Sequence, residues 1–289
     1  MGVLGPISAL GTSWWLEVHD VGVDTAAIAL WFGQRLLQFD ADYSRFKADS
    51  YVGQLNTKRI LANPPPELVT LLTRGQHWYE GTGGQFNILT ATSQVAQGYG
   101  QLASVPAKNK PVGNPVSDIV ISDTEIRLTS GAIDLGGFGK GWLIDRLAEE
   151  LATQFGSKYF LLNGGGDMYG TCLPDNAAFE IAVEHPETPG MYIAKIPLHQ
   201  AAFAASSTYK RQWQQAGAEK NHIIEPQKNV SVAACANHVV ATDAETADVY
   251  ATLGCIDHSY LQNTVLAYCL MPASGPAHVS KDFSPWLLG

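Results

Sequence analysis

Basic residues are scarce in this 289-residue chain: 18 Lys and Arg stand against 27 Asp and Glu, a formal net charge of −9, and they form no cluster. A nucleic-acid backbone is thereby excluded as the main partner, because holding a polyanion needs grouped Lys and Arg. Cysteine is sparse too. Cys172, Cys235, Cys255 and Cys269 contain no CxxC pair, which removes the zinc knuckle and the dithiol redox motif and leaves buried free thiols as the expectation. No stretch reaches the ~18 uninterrupted apolar residues of a membrane-crossing helix. The opening MGVLGPISALGTSWW lacks a basic segment and is broken by Gly5 and Pro6. It makes a poor export signal, so the expectation is a cytoplasmic protein or an exported one already trimmed. Pro6 also breaks the myristoylation pattern.

What is present is a large apolar share, 46% of residues, enough for one large domain or two fused smaller ones. Residues 12–19 are aromatic and β-branched and read as a strand; 23–39 carries helical apolar spacing. Prolines precede and glycines follow a helical run at roughly 66–80, the punctuation of a helix start and stop. The stretch 100–117, rich in Pro, Lys, Asn and Gly, reads as an exposed connection. DIVISDTEIRLTSGAIDL alternates in two short runs around Asp123-Thr124, a hairpin signature. GKGWLIDRLAEELATQF is helical up to Gly156, and KYFLLN is a buried strand ending in Gly164-Gly165-Gly166. Strand-like runs then recur at FEIAVEH, MYIAKIPL, AAFAAS, NHIIEP and VSVAACANHVVA; a helix starts near Asp243, a second follows, and TVLAYCLM closes the chain as a strand. Strands that follow one another without intervening helices pair antiparallel, so the class is α+β and not a doubly wound parallel sheet.

Two Gly-rich segments, IDLGGFGKGW (133–142) and LLNGGGDMYG (161–170), sit where a strand meets another element. Glycine there lets backbone amides approach a phosphate, and the first segment opens a helix whose N-terminal amides and dipole favour an anion such as a pyrophosphate. Neither fits the dinucleotide fingerprint or the P-loop, in which Ser or Thr would follow the lysine. Tight turning alone explains such glycines about as well. In ATDAETADVYATLG, Asp248 and Thr252 are four apart and share a helical face, so a carboxylate and a hydroxyl can reach one hard cation of the Mg²⁺ type. Taken alone, such a pair is more often a solvated helix face. His222 lies in KNHIIEP beside an apolar run, and histidine as a residue type, which ordinarily ionises near neutral pH, suits acid–base work. The seven other histidines receive no catalytic role.

In order and spacing, GTSWWLEV, YSRFKADSYVGQLN, GGQFNILTA, IDLGGFGKGWLIDRL, LLNGGGDMYG, AASSTYKR, NHIIEP and TADVYATL resemble the FAD:protein FMN transferases of the ApbE family across nearly the whole chain. The resemblance implies a single domain over 1–289, α+β and T-fold-like, with duplicated, mostly antiparallel sheets and packed helices. It implies FAD as substrate, Mg²⁺ as cofactor, and transfer of FMN to a threonine of an acceptor redox protein with release of AMP. Any membrane association would come only through that acceptor. Carried over by motif, Asp248, Thr252 and the Gly139 carbonyl are metal ligands. Asp134, Gly136, Gly137 and Gly141 form the cofactor loop, and Asn163, Gly165, Gly166 and Asp167 a second nucleotide-binding turn. By the same resemblance Phe46 would stand against the flavin ring, and His222 would be the base for the acceptor threonine. Asn87 stands where the family has Asp, Glu225 where it has Asp, Ser207-Thr208 replace a Gly-Asp or Gly-Ser pair, and PQKNV lacks the usual Thr-Gly. PQKNV motivates an alternative with water as acceptor, an FAD pyrophosphatase; a third alternative is a non-catalytic FAD-binding protein.

Overall fold

A computed structural model describes residues 2–100, 112–209, 211–215, 217–262 and 264–288. The chain forms two compact units, one from Met1–Leu37, Phe138–Tyr209 and Ala233–Gly289, the other from Gln38–Gly137 and Lys210–Val232. No described helix is long and apolar enough to cross a membrane.

The first unit is built on an eight-stranded sheet whose spatial order follows the chain: Gly2–Ala9, Thr12–Val18, Phe160–Gly164, Met168–Gly170, Ala201–Ser207, Cys235–Ala241, Ala267–Pro272 and His278–Val279. Every pairing in it is antiparallel. Alternation gives each strand two faces. Phe203 of Ala201–Ser207 joins an apolar layer with Phe179, Ile181, Ile196 and Leu198 of the hairpin Phe179–Glu184/Tyr192–Leu198. On the same strand Ser206 instead meets the helix Ala244–Ile256, which packs on the sheet and on the helix Gly139–Phe155. The latter ends where expected, at Gly156 in the left-handed region at φ 65°, a conformation that favours glycine.

Cys235 and Cys255 form a disulfide with Cα atoms 6.1 Å apart, whereas Cys172 and Cys269 are buried and free. The expectation of four free thiols is corrected for this pair. Twenty residues separate the two in sequence; only the packing of the helix Ala244–Ile256 on the strand Cys235–Ala241 brings them together.

His238, in the same strand, is buried against Phe203, with its Nδ1 3.3 Å from the Cys269 carbonyl. Burial pushes its imidazole down to about 4, with the Cys269 bond opposing. The unfolded chain takes up the proton near 6.5, the folded one does not, so this contribution to stability is present above 6.5 and is lost as pH falls toward 4. At 1.36 kcal/mol per pH unit the loss is at most roughly 3 kcal/mol. Thermal unfolding between pH 7 and 4 should have a flatter acid slope in His238→Gln, and an unchanged slope would contradict this assignment.

The second unit holds a three-stranded antiparallel sheet, Ile60–Ala62, Glu125–Leu128 and Ile119–Ile121, in that order. The two hairpin arms around Asp123 thus form as expected. The helix Pro66–Gly81 has proline in its first turn, where the missing N–H is no loss. Tyr51–Lys58, capped by Ser50, and Ala91–Ala96 are helices that the sequence pattern did not show. NHIIEP supplies the last residue of the strand Ala218–Asn221 and the two-residue strand Ile224–Glu225, and VSVAACANHVVA divides into Val230–Ser231 and Cys235–Ala241. Of the stretch read as an exposed connection, 101–111 lies outside the described residues, and Pro115–Asp118 is a single helical turn. The α+β class with antiparallel sheets is as expected.

Candidate active site

In the first unit two of the predicted residues, Asp167 and Asp248, meet at one lysine. Asp248 is 3% exposed, so the Asp248/Thr252 pair is not a solvated helix face. Its Oδ2 accepts from the Gly141 amide at 3.1 Å and lies 3.3 Å from Lys140 Nζ. Lys140 also pairs with Asp167, which lies in the turn after Phe160–Gly164 and accepts from the Ala205 amide at 3.2 Å. Thr252, one helical turn after Asp248, shares a 3.2 Å hydrogen bond with Ser206, the residue after Ala205. Asn163 Oδ1 accepts from the amides of Gly165 and Gly166 at 3.0 and 3.2 Å, which closes the second Gly-rich turn on itself. The φ of 78° and 110° at these two glycines is the left-handed backbone that they permit.

Burial pushes the Asp248 carboxyl up to about 6; the Lys140 ammonium opposes this and the Asp167 charge adds to it. Burial would lower Lys140, but together the two carboxylates outweigh it and hold the ammonium above the ordinary lysine range. Two carboxylates and one ammonium leave the cluster one negative charge in excess, an environment that favours a further cation. Among the described residues no three His, Cys, Asp or Glu form a metal cage. The predicted set of one carboxylate, one hydroxyl and one carbonyl is all oxygen, and it suits Mg²⁺, which keeps most of its shell as water and substrate phosphate.

Gly141 has a role distinct from phosphate approach. A Cβ there would lie 2.2 Å from the Ala244 carbonyl oxygen and 2.9 Å from Asp248 Cβ. Its missing side chain lets the two helices touch. Gly141→Ala should therefore lower stability by roughly 1–3 kcal/mol, the range for overpacking, although alanine favours helix by about 1 kcal/mol. A denaturant midpoint equal to or above that of the parent would contradict the close contact.

In the second unit, Phe46, Asp134 and His222 are linked through residues that the sequence pattern did not single out. Arg45 donates from Nε to Asp134 Oδ2 at 2.8 Å, and its guanidinium lies 4.1 Å over the Phe46 ring. Tyr99 meets Phe46 edge-on, stacks on Trp213 with an interplanar angle of 13°, and packs against His222 with ring centroids 5.7 Å apart. Phe46 is 58% exposed, so much of the ring remains open to a partner. The backbone carbonyl of His222 accepts from Gln94 Nε2 at 3.0 Å. Gly136 donates to Asp134 Oδ1 at 2.6 Å, which makes the start of the first Gly-rich segment an Asp-stabilised turn; Gly137 follows it. Asn87 holds a turn, donating to the Gly113 carbonyl at 2.8 Å and accepting from the Leu89 amide. An ionised Asp in its place could not donate to that carbonyl.

Lys140, Arg45, Tyr99, Trp213 and Ser206 are the residues that sequence reasoning missed. Lys140 lay inside a quoted motif, but a lysine that misses the P-loop pattern carries no signal of two carboxylates more than twenty residues away in sequence.

The fold and site define an α+β protein with a buried acidic cluster beside a Gly-opened helix. The sequence profile of the ApbE family matches residues 10–259. The chain belongs to the ApbE family. Similar solved structures include the ApbE protein of Thermotoga maritima, with 21% identity, 98% of each chain covered and a TM-score of 0.84. The flavin transferase ApbE of Vibrio cholerae has 19% identity, 97% of each chain covered and a TM-score of 0.79. The flavinyl transferase ApbE of Pseudomonas stutzeri has 17% identity, covers 99% of this chain and 96% of that one, and has a TM-score of 0.81. No curated protein matches this chain by sequence.

Proposed function

We propose that the chain is a Mg²⁺-dependent FAD:protein FMN transferase, acting as one functional domain that moves FMN from FAD onto a threonine of an acceptor redox protein and releases AMP. The observation that carries this is the net anionic Lys140–Asp167–Asp248 cluster, its two carboxylates buried, beside the N-terminus of the helix Gly139–Phe155. Family membership and the flavin transferases among the similar structures support the same chemistry.

Asp248, Thr252 Oγ1 and the Gly139 carbonyl would hold the metal, which when bound neutralises pyrophosphate charge. The N-terminal amides of that helix favour the phosphates, and Lys140 adds a positive charge beside them. The turns at Asp134–Gly137 and Asn163–Asp167 are assigned to the cofactor. Phe46, open on its exposed side, is assigned to the flavin ring. In the transfer, the threonine Oγ bonds to the FMN phosphorus while the anhydride P–O bond breaks and its electron pair leaves with AMP. His222 takes the threonine proton, worth ~10²–10⁴-fold.

With FAD and Mg²⁺, AMP should appear stoichiometrically with modified acceptor and should not accumulate without acceptor. Rapid AMP release without acceptor would replace the proposal with FAD hydrolysis; tight FAD binding with neither product would leave a flavin-binding protein.

A further inference from the structure

The helix Ala244–Ile256 carries two of the three ligands proposed for the metal, and the helix Gly139–Phe155 begins with the third. How these helices are fixed to each other therefore decides whether the three oxygens converge. The first amides of any helix lack helical partners. Here the side chain of Asp243 accepts from the Thr246 amide at 2.8 Å, and its carbonyl accepts from Ala247 at 3.2 Å. The two earlier amides are taken by a residue of the other helix: Asp145 Oδ1 accepts from Ala244 at 2.8 Å and Oδ2 from Glu245 at 2.9 Å. One turn before Asp145, Gly141 meets the Ala244 carbonyl and donates to Asp248. The helices are thus pinned at two levels.

We propose that Asp145 is a positioning residue for the metal site, its two-oxygen grip on the first turn of Ala244–Ile256 setting the place of Asp248 and Thr252 relative to Gly139. This rests on the metal assignment proposed above. Asp145 forms no hydrogen bond to any proposed ligand, so its effect runs through the backbone of the helix that it holds. A carboxylate is favoured at a helix N-terminus by the macrodipole, and two acceptor oxygens are needed to serve both amides. Asparagine offers one oxygen and turns an NH₂ donor toward the other amide. Burial pushes the Asp145 carboxyl up to about 6, against the pull of those amides.

The test is Mn²⁺ binding to FAD-free protein by electron paramagnetic resonance, with melting temperature measured on the same samples. Asp145→Asn should weaken Mn²⁺ by ~10–100-fold, the range for groups that orient metal ligands, and leave FAD affinity in chelator unchanged. Ala244→Pro removes one of the two donors at the first helical position, where proline is tolerated; it should weaken Mn²⁺ in the same direction, and it carries the test if Asp145→Asn does not fold. Leu151→Ala, fully buried farther along the same helix, lowers stability by ~2–5 kcal/mol and should leave Mn²⁺ affinity as in the parent. Parental Mn²⁺ affinity in the folded Asp145→Asn and Ala244→Pro variants, or equal loss in Leu151→Ala, would overturn the inference. A parent protein that binds no Mn²⁺ would overturn the metal assignment and this inference with it.

Discussion

Replacing Asp248 by alanine is expected to reduce Mg²⁺-dependent turnover by on the order of 10³-fold or more, the scale of losing a major electrostatic contribution to the transition state. Asp248 is the one charged group in the proposed ligand set; a hydroxyl and a carbonyl remain, and dipoles alone hold a divalent cation weakly. The variant should still fold. Asp248 and Asp167 share the Lys140 ammonium, so removing Asp248 leaves a one-to-one pair and strands no buried charge, the situation that would cost several kcal/mol. Removing Lys140 would do the opposite and leave two carboxylates facing each other. Turnover and Mn²⁺ titration on one preparation decide the matter: parental values in a folded Asp248→Ala protein would remove the metal assignment.

The second large effect is expected at His222. The strand-end backbone there is tied by Gln94 Nε2 to the His222 carbonyl, a bond that His222→Ala retains. The imidazole itself packs beside Tyr99. Loss of the ring should therefore spare the fold, FAD affinity and Mn²⁺ affinity, yet slow single-turnover transfer by ~10²–10⁴-fold. A histidine that only orders the segment gives another pattern, in which melting temperature and FAD affinity fall together while the bound fraction reacts at the parental rate. That pattern would end the assignment of His222 as base.

Much of the fold was legible because its signals are local. The apolar spacing of GKGWLIDRLAEELATQF and its closing Gly156, the prolines before Pro66–Gly81, and the alternation in FEIAVE each report one element through its own residues. The short helices Tyr51–Lys58 and Ala91–Ala96 were not legible, since six to eight residues scarcely define a 3.6-residue period. The same division holds in the site. Asp248 and Thr252 could be paired from their spacing, because a helix places residues four apart on one face. The pairing of Lys140 with Asp167 and Asp248, of Arg45 with Asp134, and of Cys235 with Cys255 depends on segments distant in sequence. No periodicity records those contacts. Resemblance to the family pointed to Asp134, Asp167 and His222 as site residues but left out the partners that hold Asp134 and Asp167, which only packing supplies.

The most direct test of the central claim is to incubate the purified chain with FAD, Mg²⁺ and a candidate acceptor that carries an Asp-x-x-x-Thr-like segment, then map flavin on the acceptor by peptide mass spectrometry. The account predicts FMN joined to the threonine through its phosphate, one AMP released for each acceptor modified, and loss of both when Mg²⁺ is chelated. FAD consumed with FMN free in solution and the threonine unmodified would contradict it.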